Sequence, residues 1–324
     1  IRDRGNAIVS DGGVINKSTG NSYSGATLVP ANITIQDTWS SPPNPMNVPW
    51  AQFDGGGTQI LPTPPHEIFS GLHFVNDLDD VGGSYGTGSS ITIQDGGTLE
   101  IDGGMQLQGG TVNLVGTGTS GQGAAYSDGQ SGNRTRLGSS STSVTNLLGD
   151  TSIGVGIAEN QLLIGPIHGV GNLTKVGPGK LVMEQFINNT FTGSLTVAEG
   201  EVQTRTGKAR NDLVIAAGAT FSQNASLGLN QDPGEVTVVD GTLNLNNRSV
   251  GDTNAFSVNI GALNGGTSGR ITATSTAATH TVSVTSDTRD GTFAGTMDGT
   301  LHLVKNGAAT LTLTGSNSHS EGTT

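Results

Sequence analysis

The stretch that decides the fold runs Ser89-Ser90-Ile91-Thr92-Ile93-Gln94-Asp95-Gly96-Gly97, Thr98-Leu99-Glu100-Ile101-Asp102-Gly103-Gly104, Met105-Gln106-Leu107-Gln108-Gly109-Gly110, Thr111-Val112-Asn113-Leu114-Val115-Gly116. Apolar and polar residues alternate inside each short run, as at Ile91 and Ile93, Leu99 and Ile101, Met105 and Leu107, Val112 and Leu114. Period two is the mark of a strand with one buried face. Asp-Gly-Gly and Gly-Gly then turn the chain, because glycine accepts positive φ without a side-chain clash.

The same grammar recurs at 213–221, 235–241, 242–246, 257–261 and 281–285, and no long stretch has helical periodicity. Strands this short, joined by corners instead of hairpin turns, fit stacked coils better than a sandwich or a closed barrel. The expected fold is all-β, a parallel β-helix (solenoid), each coil of roughly 20 to 25 residues lying in register on the coil below.

Composition agrees. Glycine supplies 52 of 324 residues and proline only 11, so the excess is not that of a proline-rich linker. Leu, Ile, Val and Phe make up roughly 23% of the chain, enough for a slim core. A formal charge of -12 opposes binding to nucleic acid or to anionic membranes. Cysteine is absent, which removes disulfides and thiolate metal sites and fits an exported protein. No run of about 20 apolar residues could span a bilayer as a helix. The opening at Ile1 reads as a mature or excised segment.

Three regions are expected: residues 1–38 as the first coils, residues 39–68 as an irregular insertion, and residues 69–324 as the main β-helix. The insertion carries Trp39, Trp50 and seven prolines (Pro42, Pro43, Pro45, Pro49, Pro62, Pro64 and Pro65), which do not suit an interior ladder, so it is placed on the side or across an end. Residues 116–143, rich in Gly, Ser and Thr, read as a long exposed loop.

Self-similarity adds a second line of argument. Gly171-Asn172-Leu173-Thr174-Lys175-Val176-Gly177-Pro178-Gly179-Lys180-Leu181-Val182-Met183 continues through Asn189, Phe191, Gly193 and Val197 to Gly200 and Val202. A second copy has Lys305, Gly307, Leu311, Leu313 and Asn317 at the matching places, with Ala309, His319 and Glu321 departing from the pattern. A third, partial copy stands at Asn21, Tyr23 and Gly25. The pattern resembles the autotransporter-associated β-strand repeat, also called the passenger-associated transport repeat. That resemblance implies a right-handed β-helix displayed outside the cell and implies no reaction. Read physically, Leu173, Leu181 and Met183 point inward, Gly177-Pro178-Gly179 makes a corner, Asn189 bonds backbone at the next corner, and Lys175 and Lys305 lie along the surface. The chain ends within a copy, which reads as a segment of a longer rod or, second, as a subunit whose ends pair in a fibre.

Chemistry-bearing residues are sparse. Asp77, Asp79 and Asp80 form the densest carboxylate cluster; a solvated turn is the preferred reading, calcium binding the next and glycosidic acid–base chemistry the last. His66, His73, His168, His280, His302 and His319 lack metal-site spacing and read as surface or corner residues. The Gly116–Gly121 run precedes no helix and makes no phosphate cradle. The expected role is a non-enzymatic, extracellular or cell-surface rod, structural or adhesive, that uses no cofactor. Its expected partners are other copies of itself or a host or matrix surface. The alternatives are a polysaccharide lyase or glycoside hydrolase, including the tailspike type, and a trimeric phage fibre.

Overall fold

A computed structural model describes the chain from residue 90 onward, apart from residues 94, 102–105, 108–109, 128–133, 139–142, 185–188, 206–210, 225–226, 233 and 246–251. Within residues 1–89 it describes the backbone of nine short strands. The strands pair in parallel throughout, and the protein is an all-β parallel solenoid with one short 3-10 turn, Thr119–Gly121, among the described residues. It divides into two compact units, residues 1–171 with 176–181, and residues 172–175 with 182–324.

The first unit has three parallel ladders. One stacks Ala7–Ile8, Thr27–Val29, His66–Ile68, Ser90–Ile93, Gly110–Gly116, the first half of Ser143–Val155, and Ile167–Gly169. The next stacks Val14–Lys17, Thr34–Asp37, Ala51–Asp54, Gly71–Val75, Thr98–Ile101, Ala125–Ser127 and the second half of Ser143–Val155. The third stacks Gln59–Ile60, Ser84–Gly86, Gln106–Leu107, Arg134–Leu137 and Gln161–Ile164. Ser143–Val155 serves two ladders because it runs through a corner, where the register shifts between Leu114 and Gly116.

Period two in the sequence becomes burial here. Ile93, Leu114 and Leu147 stack in register with almost no exposure, and Leu99, Ala125 and Ile153 do the same on the next face. Each fully buried Leu, Ile or Val contributes about 1.5–3 kcal/mol relative to leaving it in water.

Two regions bear on the expected boundaries. In 39–68 the described residues are three strands, Ala51–Asp54, Gln59–Ile60 and His66–Ile68, all in parallel ladders; the seven prolines and both tryptophans lie outside the described residues. Residues 116–143 differ from the expected exposed loop. They supply two strands, Ala125–Ser127 and Arg134–Leu137, with Ala124, Ala125, Ser127, Thr135 and Leu137 buried. The Ser127 hydroxyl donates to Thr135 Oγ1 at 3.2 Å in the interior. Small residues suffice at this level because Leu99 and Ile153 fill the layers on either side of Ala125. At these two strands, low apolar content therefore marks a coil layer of small residues.

The second unit repeats the plan. Leu173–Val176, Leu195–Val197, Leu213–Ile215, Val236–Val239 and Ala262–Asn264 form one ladder. It continues through a bridge from Gly265 to Phe293 and the pairing of Gly291–Phe293 with Leu311–Leu313. Glu201–Thr204, Thr220–Gln223, Thr242–Asn244, Arg270–Thr272 and Thr296–Met297 form another. Leu227–Asn230, Ser257–Ile260, His280–Val284 and Leu301–Lys305 form the third. Coil length varies: Leu195 pairs with Leu213, 18 positions on, whereas in the first unit Thr111 pairs with Val144, 33 positions on. The core registers hold while the corners absorb the difference. Val202, Phe221, Leu243, Ile271 and Met297 form one continuous buried row.

Candidate functional site

The repeat segments are where sequence and structure converge. In the first copy Leu173, Leu181, Met183, Phe191, Val197 and Val202 are buried, as inward positions of the pattern should be. Gly177 has φ +78°, and an added Cβ would stand 2.6 Å from the Val155 carbonyl oxygen, so the corner tolerates neither a side chain nor its usual backbone. Gly179 N–H donates to the same carbonyl at 2.9 Å. Gly200, φ +63°, turns the chain into Glu201–Thr204. The corner after Phe191 is held by Asn211, whose Nδ2 donates to the carbonyls of Phe191 at 2.9 Å and Gly193 at 2.6 Å. In the second copy Asn317 takes both roles of a corner amide. Its Oδ1 accepts Met297 N–H at 2.9 Å and its Nδ2 donates to Gly315 O at 3.2 Å.

Lys175 corrects the surface reading. Its side chain is fully buried, and Nζ donates to the Glu199 carbonyl at 3.3 Å on the next coil. The reason lies in the alternation itself: Leu173 and Lys175 face inward while Thr174 and Val176 face out. Burial pulls the ammonium down to about 7, with the Glu199 and Glu201 carboxylates opposing that shift. Lys305, the matching residue, is half-buried and its Nζ donates to the carbonyls of Asn306 at 2.6 Å and Gly307 at 3.0 Å. In both copies, then, an ammonium meets the carbonyls of a corner, where turned backbone leaves oxygens without ladder partners.

Gly307 offers a test of that corner. Its φ is +82°, and an added Cβ would collide with the carbonyls of Ser286 and Thr285, whereas Gly218 has nearly the same φ, +84°, with nothing within 4 Å. Gly218→Ala is expected to cost about 1 kcal/mol from backbone strain and Gly307→Ala about 2–3 kcal/mol, the difference measuring the contact in urea titrations. Equal costs would show that the close approach is relieved without penalty.

Carboxylates and further carboxamides serve the corners too; the sequence reading had given that role to Asn189 alone. Asn172 Oδ1 accepts Ser194 N–H at 2.9 Å, Asp212 accepts Val236 N–H at 2.7 Å, and Asp290 accepts Thr310 N–H at 2.7 Å. Each of the three stands directly before a strand and reaches the start of the corresponding strand one coil on. That position, directly before a strand, was the available signal. Asp240 and Asp287 do the same for Gly266 and Ala308 after their strands. Arg270 and Asp298 pair through two bonds of 2.7 and 2.8 Å, and the guanidinium holds the Asp298 carboxyl below its ordinary range.

The remaining candidates divide. Asp77, Asp79, Asp80, Asn21, Tyr23 and Gly25 lie outside the described residues. Of His66 and His73 only the strand backbone is described. His168 is half-buried; His302 Nδ1 meets Glu321 O at 2.8 Å and its Nε2 meets Thr324 Oγ1 at 3.1 Å. His280 departs from the surface-or-corner reading, being fully buried. Among the described residues no group of three or more His, Asp or Glu is placed to hold a metal ion, and no helix is long and apolar enough to cross a membrane.

Comparison with known proteins bears on the repeat alone. No curated protein and no solved structure matches the chain. The family model of the passenger-associated-transport-repeat matches residues 173–203 and 303–324, the two copies whose corners are described above. These two segments match the passenger-associated transport repeat, and the parallel β-solenoid in which they lie fits a β-helix of the autotransporter-passenger kind.

Proposed function

We propose that this chain forms part of an extracellular stalk, a structural or adhesive rod of the autotransporter-passenger kind displayed at a bacterial surface. The observation that carries this reading is the coincidence of the repeat with the coil: the matched segments supply inward Leu, Val and Phe, a glycine corner and a lysine turned onto corner carbonyls. All of these are stacking devices. Their chemistry is that of holding one coil on the next, so the role proposed is non-enzymatic and calls for no cofactor. Host or matrix surfaces, or further copies of the chain, are the partners such a rod would meet along its polar outer faces.

The test uses cells that make the whole protein. Protease added to intact cells, followed by antibody detection of this region, is expected to remove the signal without lysis. Signal that persists until the cells are broken would place the chain inside and end the proposal. Purified material applied to host-cell and matrix-coated surfaces then separates adhesion from a purely structural stalk.

A further inference from the structure

The imidazole of His280 is set deep in the second unit with both nitrogens committed to backbone. Phe256 N–H donates to Nδ1 at 3.1 Å, and Nε2 lies 3.2 Å from the Ser275 carbonyl oxygen. An amide N–H can only donate and a carbonyl can only accept, so the ring is held neutral with its proton on Nε2. The Phe256 ring lies against it, centroids 5.8 Å apart. Ser275 extends the junction by donating from its hydroxyl to the Asp252 carbonyl and accepting Ala277 N–H at 3.2 Å. One side chain thus joins two corner segments, 252–256 and 273–279, to the strand His280–Val284.

We propose that His280 is a proton-operated latch: at neutral pH it ties these two corner segments to their coil, and at mildly acidic pH it releases them. A proton arriving at Nδ1 would face the Phe256 N–H, converting the acceptor of that bond into a second donor pointed at a donor. The bond to Phe256 is lost and a charge is left on a buried ring.

The surrounding charges are few. Asp252 favours the proton, but burial outweighs it and pushes the ring below its ordinary value. The segment 273–279 and the strand Ser257–Ile260 carry no ionisable residue. On Leu301–Lys305, His302 is bonded to Glu321 and Thr324, and Lys305 stands opposite Val284 at the far end of the strand. Asp298 is engaged by Arg270. Arg248 lies outside the described residues. A ring with a lowered folded value binds fewer protons than it does in the unfolded chain, so the latch is intact above about 6.5 and weakens as pH falls through the folded value.

Hydrogen exchange followed by mass spectrometry tests this, with rates corrected for the intrinsic effect of pH. From pH 7.5 to pH 5, peptides covering 252–260 and 273–284 should lose protection by about tenfold or more, while a peptide covering 236–239 stays unchanged. In His280→Gln, which keeps a donor and an acceptor but cannot titrate, the two pH values should give the same protection. Unchanged protection in the wild type, or a drop that persists in the variant, overturns the latch. Should the variant fail to fold, NMR of the wild type decides: the His280 ring is expected to titrate below its ordinary value together with a shift of the Phe256 amide. Titration at the ordinary value without that shift would refute the proposal.

Discussion

Replacing Gln231 with leucine is expected to cost about 3–5 kcal/mol of stability, because the buried amide makes four hydrogen bonds that leucine cannot. Nε2 donates to the carbonyls of Asn211 at 2.7 Å and Val236 at 3.3 Å. Oε1 accepts from the Thr237 hydroxyl at 2.7 Å and from Gly261 N–H at 3.2 Å. Residues 211, 231–237 and 261 belong to successive coils, so a single side chain ties three layers at a corner where the ladder is interrupted. Leucine matches the volume but leaves those backbone groups buried without partners, and each orphan costs about 1–3 kcal/mol. Gln231→Glu sharpens the test: a carboxylate would face two carbonyls at neutral pH, and protonation in acid would restore one donor. That variant should be weakest near neutrality and recover, relative to wild type, toward pH 4 to 5. Urea titrations placing Gln231→Leu within 1 kcal/mol of wild type would mean that the corner relaxes around the loss.

Lys175 carries the second large effect. Its folded value of about 7 compares with an ordinary 10.5, so from pH 7 to 10.5 the unfolded chain binds a proton that the folded chain has given up. Stability should therefore rise with pH across that window, by an amount on the order of 3 to 5 kcal/mol, and below pH 7 the full cost of the buried ammonium remains. Lys175→Met keeps the length of the stem and removes the charge. It is expected to stabilise the protein by about 1–4 kcal/mol at pH 7 and to flatten the rise above it. A wild type whose stability does not change between pH 7 and 10, or a Met variant weaker at every pH, would show that the bond to the Glu199 carbonyl outweighs desolvation. The lysine is then a net staple of the repeat, not a tolerated cost.

Much of the architecture was legible because a solenoid is local. Alternation at 89–116 marks the inward positions Ile93, Leu99, Ile101, Val112 and Leu114, all buried. The glycines at 177 and 307 are turns in both sequence and structure, since positive φ leaves few other residues available. Lys175 was misjudged for an instructive reason. Its inward phase was visible beside Leu173, but the habit of lysine to reach water overrode the period. Composition misled in the same way at 124–137, where Ala, Ser and Thr line a layer that bulkier neighbours complete.

By itself the amino-acid order determined the all-β class, the faces of the strands, the glycine corners and the two repeat copies, because each of these depends on residues a few positions apart. Tertiary structure alone decided which side chain reaches which coil: Asp212 to Val236, Gln231 to Asn211 and Gly261, His280 to Phe256 and Ser275. Those contacts depend on coil length, which differs with the size of each corner, being 18 residues from Leu195 to Leu213 and 33 from Thr111 to Val144. A partner one layer away therefore stands at no fixed distance along the chain, and only the stacked register brings it within reach.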